Sequence, residues 1–410
     1  MASGQPLTNT AARGPLAFIF TVVLLDLLGV TLLIPVAAYI VREYSTDALA
    51  VGLLAVIYSA AQFLAAPVLG RLSDRYGRRP VLLLCLLGSA FGYVLFGIGG
   101  ALWILFLSRL IDGITGGNLS VAQAYIADVT PPEERARNYA LIGAAFGLGF
   151  ILGPVLGGTL SQISLSAPAY AAGALSLASA IVGFFVLPES LPPEKRSTAQ
   201  LSLADANPLA AIAGIARLPG LGPLLLASAA FNLAFSGMVS NIAVFLIERF
   251  AVRPPDIALL LTVTGVVNVV MQGGVVRRIA PRFGERALAL AGLATLAVAY
   301  LGMAFAPALW VFYPLTILSA IGNALTIPTL TALIANQVSP QDQGRVAGVS
   351  AAIGSLMNVA GPLWAGATYD YLMPGMPYWS GAIFFICAWL LIARRRSAAQ
   401  PAPEPAPSPQ

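Results

Sequence analysis

The chain has 410 residues, of which 58% are apolar and only 10% charged, with a net charge of +5 and a mean hydropathy of +0.84. Ordinary soluble domains carry about 25% charged residues, so this composition excludes a soluble enzyme and describes an all-α protein that crosses a membrane many times. The chain has no histidine, and its two cysteines, Cys85 and Cys387, lie inside apolar runs, so no metal site, cofactor or disulfide framework is expected.

Apolar runs of roughly 20 residues read as twelve spans, at 16–41, 48–72, 81–99, 102–127, 138–162, 168–187, 220–247, 256–277, 287–305, 308–336, 345–369 and 379–393. Residues 1–15 are polar and lead into a full-length span without a small-residue cleavage site, so no cleaved signal peptide is expected. Span 1 carries Asp26 and Thr31, and span 2 carries Tyr58 and Gln62. Between spans 2 and 3, Gly70 to Pro80 holds Arg71, Asp74, Arg75, Arg78 and Arg79. That charge density cannot enter hydrocarbon and predicts a short water-side turn. Span 4 is the most polar, with Arg109, Asp112, Thr115, Asn118, Ser120 and Gln123. The turn after it, Asp128 to Arg137, could pair with the basic turn, and Asp74 could cap a neighbouring helix N-terminus. In span 5, Gly149, Gly153 and Gly157 recur every fourth residue, spacing that lets helix backbones approach closely. Pro154 permits a bend, so this stretch reads as close packing or as a hinge between halves.

A polar linker follows at 189–219. Span 7 then carries Asn232, Ser236, Ser240 and Asn241, span 8 carries Asn268 and Gln272, and span 10 carries Thr316, Ser319, Asn323, Thr326 and Thr329. Spans 3, 6, 9 and 12 hold little beyond Ser, Thr and Tyr. Because polar groups avoid lipid, spans 1, 4, 7 and 10 are expected around a wet central cavity. The Pro/Ala-rich tail 395–410 is expected to be disordered.

The two halves repeat. Arg75-Tyr-Gly77 matches Arg282-Phe-Gly284 at an offset of 207, and Gly153-Pro154 matches Gly361-Pro362 at 208. The expected organisation is therefore two parallel six-helix bundles, 1–188 and 220–394, joined by the linker. With both termini placed inside, the cytoplasmic segments hold 18 of the 22 Lys and Arg residues. The net positive charge is thus a topology signal for a multi-pass inner-membrane protein with cytoplasmic termini, and no nucleic-acid partner is expected.

Two carboxylates fall within spans, Asp26 and Asp112. Each costs on the order of 2.5–3.5 kcal/mol at a helix centre. Arg109 precedes Asp112 by one turn, so the two can share a face. The arrangement reads as a proton site tuned by Arg109, or as a static ion pair that fixes packing. Tyr58, Gln62, Asn118, Gln123, Asn232, Phe235, Asn268, Gln272 and Asn323 are the candidate substrate contacts. Gly70, Asp74, Arg75, Gly77, Arg78, Gly153 and Pro154 are the candidate gating residues. Tyr58/Gln62 and Asn268/Gln272 occupy similar i, i+4 positions in the two halves, and could instead hydrogen-bond across the interface between them.

The basic turn, G-x-L-x-D-R-x-G-R-R, resembles the loop 2–3 signature of the major facilitator superfamily. Leu25-Asp26-Leu-Leu-Gly29 with Ile34-Pro35-Val36, Ser108-Arg109-Leu-Ile-Asp112-Gly113, and Gly143 through Gly158 resemble the helix 1, 4 and 5 motifs of its twelve-helix drug/proton antiporters, the tetracycline exporters among them. The resemblance implies alternating access, and its helix 4 arginine is assigned to proton coupling. Departures are specific. The exporters carry an acid in helix 3, a histidine in helix 8 and an acid in helix 9; here Gly92 and Asn268 stand at the first two positions and span 9 has no acid. Asp112 stands where those exporters have a serine. The reading is a monomeric, proton-coupled exporter of amphipathic drugs or metabolites with a changed substrate. Uptake or uniport, sodium coupling, and a transporter-like receptor or scaffold are the alternatives.

Overall fold

A computed structural model describes residues 13–131, 134–196, 220–338 and 342–394. Most of the linker and the tail lie outside the described residues. Spans 1, 2 and 3 are single helices, Arg13–Arg42, Ala48–Tyr76 and Arg78–Ile98; spans 5 and 6 are Arg135–Leu160 and Ala167–Val186. Span 7 is Gly222–Phe250, and spans 9 to 12 are Glu285–Phe305, Leu309–Ala335, Gln343–Tyr371 and Met376–Ala393. Eleven helices are long and apolar enough to cross a bilayer among the described residues.

Span 4 departs from the continuous helix expected over 102–127. It is two helices, Leu102–Thr115 and Asn118–Val129, because Gly116 and Gly117 interrupt it and glycine is a poor helix former. The break lets the backbone press on span 2. A Cβ at Gly113 would stand 2.5 Å from the Tyr58 carbonyl oxygen, and one at Gly117 would stand 2.7 Å from Leu69 Cδ1. Gln62 Nε2 donates to the Gly116 carbonyl at 2.8 Å, filling an acceptor that the broken ladder leaves open. Span 8 also differs from expectation: Pro254–Val270 passes through a π-helical turn, Met271–Val276, into a short helix, Arg277–Phe283.

The basic turn is shorter than predicted. Span 2 stays helical through Tyr76, and Gly77 alone, at φ 106° and ψ 156°, separates it from span 3. Gly284, at φ 77° and ψ 155°, does the same between spans 8 and 9. The internal repeat is therefore a shared backbone conformation that L side chains rarely adopt.

Span 1 packs on span 5, span 3 on span 6, and spans 2 and 3 on span 4. In the second half span 7 packs on spans 11 and 12, and span 9 on spans 10 and 12. Spans 3, 6, 9 and 12 carry exposed apolar side chains such as Phe91, Phe185, Phe305 and Ile386, as expected of lipid-facing helices. The polar stripe of span 10 does not line a wet cavity. Thr316, Ser319, Asn323, Thr326 and Thr329 are buried, and Thr316, Thr326 and Thr329 donate to carbonyls one turn back. Hydroxyls that bond their own helix need no water, so residue type alone overstated the cavity.

The halves meet where span 2 packs on span 11 and span 5 on span 8. At the end remote from the basic turns the contact is tight. A Cβ at Gly52 would lie 2.7 Å from the Pro362 oxygen, one at Gly366 2.8 Å from Leu49 Cα, and one at Gly158 would collide with Ala258. At the basic end, Gly70, Gly143, Gly273, Gly274 and Gly348 would meet nothing within 4 Å. The two bundles are closed at one end and splayed at the other.

Candidate functional site

The first helix of span 4 turns the usual amphipathic rule inside out. Leu107, Leu110 and Ile114 are exposed, while Ser108, Arg109, Asp112 and Gly113 are buried against spans 2 and 3. In lipid the apolar face points outward and the charges must be satisfied within the protein. Arg109 Nη1 pairs with Asp112 Oδ2 at 3.1 Å, with Arg109 8% and Asp112 1% exposed. The guanidinium carbon stands 4.7 Å from the Phe96 ring centre and 5.3 Å from that of Tyr93, both on span 3. Arg109 Nε and Nη2 have no hydrogen-bond partner.

Gly92 faces this pair directly. A Cβ there would lie 3.1 Å from Asp112 Cβ and 3.1 Å from the Ser108 oxygen. A larger residue at 92 would displace Asp112, so the two departures from the exporter pattern, Gly92 and Asp112, occupy one spot. The carboxylate that the resemblance places on span 3 has its spatial counterpart on span 4.

Asp26 reaches the same cluster from span 1. It is half-buried and lies beside Asn118, within electrostatic reach of Asp112, Tyr58 and Cys85. Asn118 is only 4% exposed, and its side chain faces the Asp26 carboxyl. Gln62 Nε2 donates to the Tyr58 hydroxyl at 3.2 Å. The structure thus gathers Asp26, Tyr58, Gln62, Arg109, Asp112 and Asn118 from three spans into one half. Nothing in their spacing revealed the Tyr93–Phe96 box; two aromatics on a lipid-facing helix look like packing.

The other candidates are placed differently. Gln62 bonds within its own half, whereas Gln272 is exposed in the π-helical turn, so the Tyr58/Gln62 and Asn268/Gln272 pairs are not equivalent. Gln123 is exposed as well. Asn268 Nδ2 donates to the Thr264 carbonyl at 3.0 Å and Asn232 Nδ2 to that of Ser228 at 2.8 Å. Asn268 Oδ1 and Asn323 Oδ1 are buried without partners. Phe235 stacks on Phe231 with centres 5.9 Å apart.

Among the gating candidates, Arg78 is the organiser at the basic end. Its side chain is 9% exposed and pairs with Asp74 at 2.5 Å and Asp128 at 3.0 Å, so the turn after span 4 does engage the basic turn. Arg75 is exposed, over the Tyr76 ring. Asp74 caps no helix N-terminus among the described residues, and the cap expected of it belongs to the state in which the outside is open. That role on span 3 belongs to Glu189, which the sequence reading missed: it accepts from the Arg78 backbone N–H at 2.8 Å and that of Arg79 at 3.3 Å. A Cβ at Gly77 would collide with the same carboxylate. Gly149, Gly153 and Gly157 pack on Leu27, Thr31 and Leu32 of span 1, inside one half, and Pro154 is buried with them. The Thr31 hydroxyl donates to the Gly149 carbonyl at 3.0 Å.

At the closed end two further acids bridge the halves. Asp370 at the end of span 11 accepts from the Ala48 and Leu49 backbone N–H groups of span 2, at 3.0 and 2.8 Å. Glu248 pairs with Arg42 at 3.0 Å and accepts from the Tyr369 hydroxyl at 2.5 Å.

Comparison with known proteins agrees with this architecture. The sequence profile of the Major Facilitator Superfamily matches residues 19–282 and 225–409. The chain is 36% identical over 394 residues to the class C tetracycline resistance protein of Escherichia coli, covering 94% of this chain and 98% of that protein. It superposes on the crystal structure of the human organic anion transporter MFSD10 with a TM-score of 0.70, at 30% identity over 95% of this chain and 100% of that one. A bacterial homologue of the human lysosomal transporter Spinster, in an inward-facing and unoccupied conformation, gives 0.72 at 19% identity, covering 93% and 95% of the two chains, a likeness of fold.

Proposed function

Because the chain belongs to the major facilitator superfamily, and so is a multi-pass membrane transporter rather than an enzyme, we propose that it is a proton-coupled exporter of amphipathic drugs or metabolites. The observation that carries this reading is the shared cluster of Asp26 and Asp112, one half-buried and one sealed against Arg109. Buried carboxylates are costly without a role. In the proposed cycle the two acids take protons as substrate leaves and release them on the other side, so that protonation and substrate binding compete and the two bundles, 1–188 and 220–394, rock about the site.

The positive-inside rule places the basic end in the cytoplasm of an inner (plasma) membrane, with both termini on that side. On that orientation the structure is open to the cytoplasm. Tyr58, Gln62, Asn118, Asn232, Phe235 and Asn268 are the proposed substrate contacts. Gly70, Asp74, Gly77 and Arg78 are the proposed gating residues. Gly92 and Asn268 remove polar partners that the tetracycline exporters use, which argues for a different substrate. The likeness to an organic anion transporter supports a second reading in which the cargo is an organic anion.

The test is proton flux in liposomes with an imposed pH gradient. A panel of lipophilic amines, organic anions and tetracycline is added to the wild type, Asp26→Asn and Asp112→Asn. Flux elicited by one compound class and lost in both variants is the expected result. Flux unchanged in both variants would overturn proton coupling at these acids.

A further inference from the structure

We infer that Phe96 and Tyr93 are positioning residues for proton exchange at Asp112, forming a surface over which the Arg109 guanidinium settles when Asp112 becomes neutral. This rests on the proton-coupling reading above.

A buried guanidinium has five N–H donors, yet here only Nη1 finds an acceptor, the Asp112 carboxylate. Nε and Nη2 are buried and unpartnered. Leaving such donors unsatisfied is costly, more so for charged groups, and removing one member of a buried ion pair is strongly destabilising. Protonating Asp112 removes the one anion that Arg109 pairs with among the described residues. A site that has to be protonated and deprotonated every cycle needs a second place for that charge.

The rings of span 3 provide it. Phe96 is 1% and Tyr93 0% exposed, so the contacts with Arg109 are desolvated, the setting in which a cation over a ring face is worth most. An aromatic face attracts a cation whether or not Asp112 carries a proton. Ionised Asp112 holds Nη1 on Oδ2 and limits how far the guanidinium settles over the rings, whereas neutral Asp112 releases it to them. With the rings present, the neutral form of Asp112 is tolerated; without them, Arg109 holds Asp112 in its ionised form.

Two features keep the rings in place. Gly29 of span 1 leaves room for Tyr93, since a Cβ there would lie 2.9 Å from the Tyr93 hydroxyl oxygen. That hydroxyl faces the Asp112 carboxyl, and the ring itself is fully buried by packing. Gly92, next in sequence, lets span 3 lie close enough to span 4 for both rings to reach Arg109. The groups facing Asp112 are Arg109 on its own helix, Ser89 and Tyr93 on span 3, Tyr58 on span 2 and Asp26 on span 1. Only Arg109 among them is cationic, so its alternatives govern how readily Asp112 takes a proton.

The experiment needs no substrate. Wild type, Phe96→Leu, Phe96→Tyr, Asp112→Asn and Asp26→Asn are reconstituted in liposomes, and the infrared band of protonated carboxyl groups is followed against pH. The component lost in Asp112→Asn is assigned to Asp112. Phe96→Leu is expected to move its midpoint to lower pH by about one unit, the size of a desolvated ring–cation contact, while Phe96→Tyr leaves it near the wild type. If Phe96→Leu does not fold, Phe96→Met carries the same test. An unmoved midpoint in the ring-less variants, with the Asp112 component present, overturns the role of the rings alone. An equal shift in Phe96→Tyr also overturns it, pointing to packing. Absence of any component sensitive to Asp112→Asn overturns the proton-coupling reading and this inference together.

Discussion

Removing the Asp370 carboxylate is expected to open the closed end of the transporter. Span 2 begins at Ala48, and its own N-cap residue, Asp47, makes no side-chain cap; Ser45 Oγ engages Asp47 instead, at 3.2 Å. The first two amides of the helix are satisfied by Asp370 from the other half of the molecule. A helix N-cap is worth about 0.5–2 kcal/mol, and hydrogen bonds to a charged group contribute about 1.5–3 kcal/mol. Because the contact bridges halves that separate when this end opens, the loss falls on one state, and a differential of about 1.4 kcal/mol shifts the ratio of states roughly tenfold. The assay is a spin-label distance measurement between Thr46→Cys and Met373→Cys, in a Cys85→Ala, Cys387→Ala background. Asp370→Ala should raise the long-distance population about tenfold relative to the parent, by the same free-energy arithmetic. Asp74→Ala should move it the opposite way if Asp74 forms the mirror-image cap on span 11 once the basic end closes. An unchanged distance distribution in Asp370→Ala would refute the reasoning.

Gly153→Ala should destabilise the protein by about 1–3 kcal/mol, the usual range for overpacking, because its Cβ would collide with the Thr31 hydroxyl; Gly274→Ala, in open space, should leave the thermal midpoint near the wild type in a detergent melting assay. Glu189→Ala removes the cap from span 3 and should cost about 0.5–2 kcal/mol, read as a lower melting midpoint and as faster proteolysis in the segment after span 6, where Leu191 N–H also donates to Glu189 at 3.0 Å.

Much of the fold was legible because the bilayer imposes simple rules on sequence. Spanning segments must be long and apolar, and charges must collect at the water face. The Asp112–Arg109 pair was legible for a related reason, since i, i+3 spacing guarantees proximity on any helix. The break in span 4 was signalled by Gly116-Gly117, though two glycines within an apolar run are also compatible with a continuous helix. The polar stripe of span 10 misled because a threonine that bonds its own backbone reads the same as one that meets water.

By itself the sequence determined where the apolar spans lie, the internal repeat and the charges that had to be buried, because these follow from local composition and from the cost of polar atoms in lipid. Only the tertiary structure decided which groups answer those charges. Glu189 reaches Gly77 across 112 residues, Asp370 caps a helix over 300 residues away, and two rings of span 3 flank Arg109. Such partners are brought together by helix packing through close glycine contacts, and proximity of that kind leaves no periodic trace in the chain.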